Sequence, residues 1–136
     1  MATFVKINSF VEFLAEKRIN LGSDQLVIAL TNTAHTAGWD ELADLTQVSY
    51  TNLSTRNITT TSSAQTSGTY KLVLADLVLT SSGGTTGPFR YVYIYDDTAT
   101  NDDLICYFDY GSSITLADGD TFTIDFDPSN GVLQIA

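Results

Sequence analysis

The runs Gly87-Pro88-Phe89-Arg90-Tyr91-Val92-Tyr93-Ile94-Tyr95 and Leu104-Ile105-Cys106-Tyr107-Phe108-Asp109-Tyr110 decide how the chain is read. Both are dense in β-branched and aromatic residues, which fit a pleated, half-buried surface, and both are bounded by Gly, Pro, Asp or Asn. They predict two strands joined by the loop Asp96 to Asp103. Antiparallel pairing of Tyr95 with Leu104 sets Tyr93 against Cys106, Tyr91 against Phe108 and Phe89 against Tyr110 on one uncharged face. The other face then matches Ile94 with Ile105, Val92 with Tyr107 and Arg90 with Asp109. A slip of one residue separates Arg90 from Asp109 and scatters the aromatics, which favours this register. A hairpin apolar on both sides needs cover on both: a second sheet on one, and a helix or a partner subunit on the other.

At 136 residues, 43% of them hydrophobic, the chain is sized for one domain that buries a core without staples. The single Cys106 excludes an intrachain disulfide and, set in a strand pattern, predicts a buried thiol. Six Lys and Arg against sixteen Asp and Glu give a net charge of −10, which repels phosphate backbones and argues against a nucleic-acid partner. The start, Met1-Ala2-Thr3-Phe4-Val5-Lys6, lacks the pattern of a secretion signal, and no apolar run approaches a membrane span of roughly 20 residues, so no membrane partner is expected.

Upstream, Ser9-Phe10-Val11-Glu12 has the spacing of a capping box. Phe10, Phe13, Leu14 and Arg18 follow at helical intervals, so residues 8–21 predict one short helix, Phe10 to Arg18, lying on a sheet. Residues 1–7 before it are an edge strand or an arm that reaches a neighbour. Residues 24–136 read as the sandwich. Leu26-Val27-Ile28-Ala29-Leu30 is a buried strand, Trp39 to Leu45 one or two helical turns, and the polar stretch from Thr46 to Thr69 contains a strand near Arg56 to Gln65. Thr69 to Leu74 is a strand that Asp76 to Thr80 continues past a bend at Ala75. Tyr110 to Ser113 and Asp118 to Asp120 are turns, Thr121 to Phe126 alternates as a strand, Asp127 to Gly131 turns again, and Val132 to Ile135 is the last strand. The fold class expected is mainly β: an antiparallel β-sandwich of seven or eight strands with one short N-terminal helix.

Chemistry is sparse. No nucleophile has a His and an acid in view, no Gly-rich loop opens a helix, and no zinc spacing occurs, so neither enzyme activity nor a cofactor is expected. His35 reads as a surface loop residue. The four carboxylates of Asp96-Asp97-Thr98-Ala99-Thr100-Asn101-Asp102-Asp103 crowd one loop, but without the spacing or Gly of an EF-hand they predict a solvated, self-repelling turn before a calcium site. Tyr91, Tyr93 and Tyr95 at period two read as core before a sugar-stacking platform. Asn52-Leu53-Ser54 and Asn57-Ile58-Thr59 match the glycosylation sequon and, without a signal peptide, indicate only exposure.

Gly68-Thr69-Tyr70-Lys71-Leu72, Gly87-Pro88-Phe89-Arg90-Tyr91, Tyr110-Gly111-Ser112-Ser113-Ile114, Ala117-Asp118-Gly119-Asp120-Thr121-Phe122 and Asn130-Gly131-Val132-Leu133-Gln134 together resemble a family of small virion proteins of tailed bacteriophages. Asn8-Ser9-Phe10-Val11-Glu12, Asn20-Leu21-Gly22-Ser23-Asp24 and Ala29-Leu30-Thr31-Asn32-Thr33-Ala34 extend the likeness, and His35 to Arg56 matches least. The resemblance implies a virion structural protein, made in the host cytoplasm, that decorates or cements the capsid exterior. Its partners would then be the major capsid protein and further copies of itself, as a homotrimer. The competing reading is a tail or fibre component that binds a host glycan or protein through its loops. For the capsid reading the expected interface is Ala2, Thr3, Phe4 and Val5 of the N-terminal segment with Val92, Ile94, Ile105 and Tyr107 of the hairpin, apolar positions that one helix is too small to cover.

Overall fold

The computed structural model describes residues 2–136. Ten strands form three antiparallel sheets. In chain order they are β1 (Thr3–Lys6), β2 (Leu26–Thr31), β3 (Asn57–Ile58), β4 (Thr60–Thr66), β5 (Thr69–Leu74), β6 (Leu77–Thr80), β7 (Thr86–Asp96), β8 (Leu104–Leu116), β9 (Thr121–Ile124) and β10 (Leu133–Ile135); among the described residues one α-helix, α1 (Phe10–Ala15), lies between β1 and β2, and a single 3-10 turn, Leu42–Asp44, falls within the expected Trp39 to Leu45 segment. The main sheet runs β1-β8-β7-β2-β3; a second runs β10-β5-β4, and a third pairs β6 with β9. The arrangement is a mainly β sandwich with more strands than the seven or eight expected, because short pieces such as β3 and β6 carry no turn residues that separate them in the sequence.

β2 is buried at all six positions, as its unbroken apolar run requires. It pairs with β7 from Leu26 opposite Asp96 to Thr31 opposite Tyr91. β7 and β8 pair as expected only at Tyr95 and Leu104. A bulge follows at once: Ile105 is skipped in the ladder with β7, its carbonyl accepting the Ile7 N–H at 3.0 Å on the other side, and from there Ile94 faces Cys106, Val92 faces Phe108, Tyr93 faces Tyr107 and Tyr91 faces Asp109. The expected pairings of Ile94 with Ile105, Tyr93 with Cys106, Val92 with Tyr107 and Tyr91 with Phe108 are therefore wrong by one residue. The extra residue is apolar between apolar neighbours, so nothing in the pattern marks it. A larger shift lies beyond Tyr91, where Phe89 faces Ile114 rather than Tyr110.

That second shift also corrects the expected turn at Tyr110 to Ser113. β8 continues through it to Leu116, because β7 extends back to Thr86 and gives it a partner. The strand bends instead at Gly111, whose φ of 82° suits glycine and whose N–H donates to Asp109 Oδ1 at 2.8 Å. Asp76 to Thr80 is likewise no continuation of β5. The chain changes sheets at Ala75, and β6 pairs with β9 from Leu77 opposite Ile124 to Thr80 opposite Thr121.

Helix α1 stops at Ala15, short of Arg18. Lys17 takes φ of 66°, Arg18 N–H bonds to the Phe13 carbonyl at 2.9 Å and Lys17 N–H to that of Leu14 at 3.3 Å, which is a left-handed C-terminal cap built without glycine. The capping box does not form: Ser9 has helical dihedrals, and its hydroxyl bonds to Asp40 Oδ2 at 3.0 Å. Phe10 and Phe13 are buried in the one core cluster, together with Leu72 and Leu74 of β5, Leu79 of β6 and Ile124 of β9. No helix among the described residues is long and apolar enough to cross a membrane.

Candidate docking surface

The N-terminal segment is an edge strand. Phe4 pairs with Phe108 and Val5 with Tyr107 on β8, and among the described residues the other edge of β1 has no strand beside it. β10 is in the same position in its own sheet, paired with β5 on one side only. Between these two edges, floored by α1, lies a groove of about 540 Å³. Phe4 and Lys6 line it from β1, Val11 and Leu14 from α1, and Leu133 and Ile135 from β10. Alternation along β1 puts Phe4 and Lys6 on the same face, toward the helix, and the Phe4 ring meets Phe108 edge-on at 5.6 Å.

Among the described residues, three of the four large apolar side chains that stay exposed are in this groove: Phe4 at 41%, Val11 at 54% and Ile135 at 43%. Among the described residues no Asp or Glu lines it, although the chain carries sixteen, and Lys6 does. A surface that is acidic elsewhere is thus apolar and weakly basic here. The two flanking strands present backbone N–H and C=O groups outside any ladder, which is the usual template for a further strand.

The expected interface residues fall into two groups. Thr3 and Phe4 are exposed, and Ala2 and Val5 half-buried, along the β1 edge. Val92, Ile94 and Ile105 are not on the surface, at 0%, 1% and 1% exposure, because both faces of the hairpin are covered within the chain. Tyr107 does not share the Val92 face: the bulge turns it toward Tyr93, with ring centroids 4.9 Å apart, and His35 packs on it at 4.7 Å. Val92, Ile94 and Ile105 are therefore core, while Tyr107 is half-buried against it. Val11 and Ile135 were missed, yet Val11 carries a signal: it is apolar on the flank of α1 opposite the Phe10 and Phe13 stripe.

The other candidates sort by burial. His35 lies in a loop, as expected, but is half-buried rather than at the surface. Its Nδ1 is 2.8 Å from the Tyr93 hydroxyl, Trp39 meets it edge-on, and burial lowers its pKa, so it plugs the tyrosine face of the sheet. Tyr91, Tyr93 and Tyr95 are core, and the fully buried Cys106 thiol is pushed up in pKa by desolvation. The acidic loop is not wholly solvated either. Asp103 is buried and takes Arg18 Nε at 3.1 Å and Nη2 at 2.5 Å, and Asp96 is buried at the other end. Among the described residues no three His, Cys, Asp or Glu side chains converge as metal ligands. No family model, curated protein or solved structure matches this chain.

Proposed function

We propose that the chain is a structural component of a bacteriophage particle, a decoration protein that docks on the capsid exterior and associates with copies of itself. The observation that carries this reading is the groove between β1, α1 and β10, where most of the exposed large apolar side chains gather beside two open strand edges. Apolar surface of that kind beside unpaired backbone suits a permanent protein partner, with backbone pairing for alignment and Phe4, Val11 and Ile135 for burial. Burying each of these more fully contributes on the order of 1 kcal/mol or more. The acidic remainder, at net −10, keeps the free subunit soluble before assembly. The resemblance to small virion proteins supplies the particle, and a trimer on threefold positions is the closed assembly that fits such a shell.

Electron microscopy of purified particles containing the protein tests this. Density for the chain on the outer face of the head, with the groove buried against a neighbour, is the expected result. Density at the tail, or a groove open to solvent on the shell, overturns it.

A further inference from the structure

The loop before β2 meets the base of the hairpin loop through two backbone contacts. Asp97 N–H donates to the Gln25 carbonyl at 2.9 Å, and Gln25 N–H donates to Thr98 Oγ1 at 2.9 Å. Asp96 lies beside them with no exposed surface. Its Oδ1 accepts the N–H groups of Thr98 and Ala99 at 3.0 and 3.1 Å. Its Oδ2 is buried and meets no donor among the described residues. Asp24, next to Gln25 in that contact, lines the same depression as Thr98 and Ala99 and brings its carboxyl to the buried Asp96, while its Oδ2 accepts the Asn20 N–H at 2.9 Å. Two ionised carboxylates cannot satisfy each other, since neither brings a hydrogen, and like charge adds to the cost of burial.

We infer that Asp24 and Asp96 hold one proton between them in mildly acidic solution, on Oδ2 of Asp96 and donated to Asp24, and that this acid pair latches the loop before β2 to the hairpin loop. Among the described residues no cation forms an ion pair with Asp24 or Asp96. Arg18 is engaged by Asp103 and Glu41, Asp97 and Asp102 on the hairpin loop add only negative charge, and β2 brings no ionisable side chain. Lys17 lines the depression outside, with Asp24 and Asp103. Burial first, then Asp24, raise Asp96 to about 7 from 3.8, against the pull of its two N–H donors. A folded value above the unfolded one means that the folded state holds the extra proton. Stability from this pair is therefore complete below about pH 4 and is lost as the pH rises to about 7, where the latch opens.

The test is a carbon-13 carboxyl titration of the intact chain, with urea midpoints at about pH 5.5 and about pH 8 for the wild type and Asp96→Asn. The Asn amide keeps the acceptor for Thr98 and Ala99 and donates to Asp24 at every pH. The Asp96 resonance should titrate near 7, and the fall in midpoint between the two pH values should be largely absent from Asp96→Asn. An Asp96 resonance that titrates near 4, or a fall that Asp96→Asn retains, overturns the proposal. If Asp96→Asn does not fold, the wild-type titration decides alone. Calcium chloride that raises the wild-type midpoint at the higher pH but not that of Asp96→Asn replaces the shared proton with a bound cation and also overturns it.

Discussion

Arg90 and Asp109 form a two-pronged ion pair without facing each other across the ladder. Nε to Oδ1 is 2.8 Å and Nη2 to Oδ2 is 3.1 Å, while the cross-strand partner of Asp109 is Tyr91. Arg90 sits at the step where the register shifts between Tyr91 and Phe89, and the bend at Gly111 carries the Asp109 carboxylate across to it. The charge complementarity in the sequence was real, and the register inferred from it was not. A guanidinium on a flexible stem finds its carboxylate from a diagonal position as readily as from a direct one.

Exchanging the two charges, Arg90→Asp with Asp109→Arg, should retain more stability than either single change, since each single change leaves like charges together. Recovery should be partial, because Arg at 109 cannot accept the Gly111 N–H that Asp109 Oδ1 holds. Urea unfolding of the four proteins reads this directly; strictly additive effects would contradict the coupling. Arg90 lowers the pKa of Asp109, so the pair stabilises the fold above the usual aspartate range and its contribution is lost as the pH falls through the folded value.

Phe13→Ala should cost about 3–5 kcal/mol, a large part of the roughly 5–15 kcal/mol that holds a domain together. The ring is 4% exposed in the core, and the Arg18 guanidinium stacks on its outer side at 3.9 Å. Denaturant midpoints check it. A loss below about 0.5 kcal/mol would mean that α1 contributes little to the core.

Burial and element type were legible wherever a side-chain pattern imposes them. β2 follows from five consecutive apolar residues, and β9 from the alternation of Phe122 and Ile124 with Thr121 and Thr123. What stayed hidden depends on backbone rather than side chains. The bulge at Ile105, the change of sheet at Ala75 and the run of β8 through Gly111 are choices between ladders that the same composition serves equally well. The candidate surface shows the same division. The apolar β1 edge was visible in Thr3-Phe4-Val5, whereas its partners Val11 and Ile135 come from segments 7 and 131 residues further on than Phe4, and only the fold brings them together.

Gly87→Ala should destabilise by more than about 1 kcal/mol. Its φ is 111°, and a Cβ there would lie 2.8 Å from the Ile114 carbonyl oxygen, which belongs to the partner strand and cannot move aside. Gly111→Ala is the control: its φ is also positive at 82°, but nothing lies within 4 Å of the added carbon, so it bears the backbone strain alone and should cost less. Equal losses would show that the close approach to Ile114 carries no weight.

Removing Ala2 to Val5 would not test the docking surface cleanly, because β1 pairs with β8 over four positions and its loss exposes the flank of the main sheet. Point changes in the groove separate folding from docking. Phe4→Glu, Val11→Glu and Ile135→Glu each alter a side chain that already meets water, so stability should change by no more than about 0.5 kcal/mol for the most exposed, Val11. Association is a different matter, since a carboxylate buried at an interface without a partner costs several kcal/mol. Each variant should therefore fold, yet show weaker self-association by light scattering and weaker retention on capsids in a pelleting assay, with Val11→Glu the most informative. Val78, 51% exposed on β6 and outside the groove, provides the matched control. If Val78→Glu weakens binding as much as Val11→Glu, the groove is not the docking surface. If all four variants bind as the wild type does, the partner contacts another face of the sandwich.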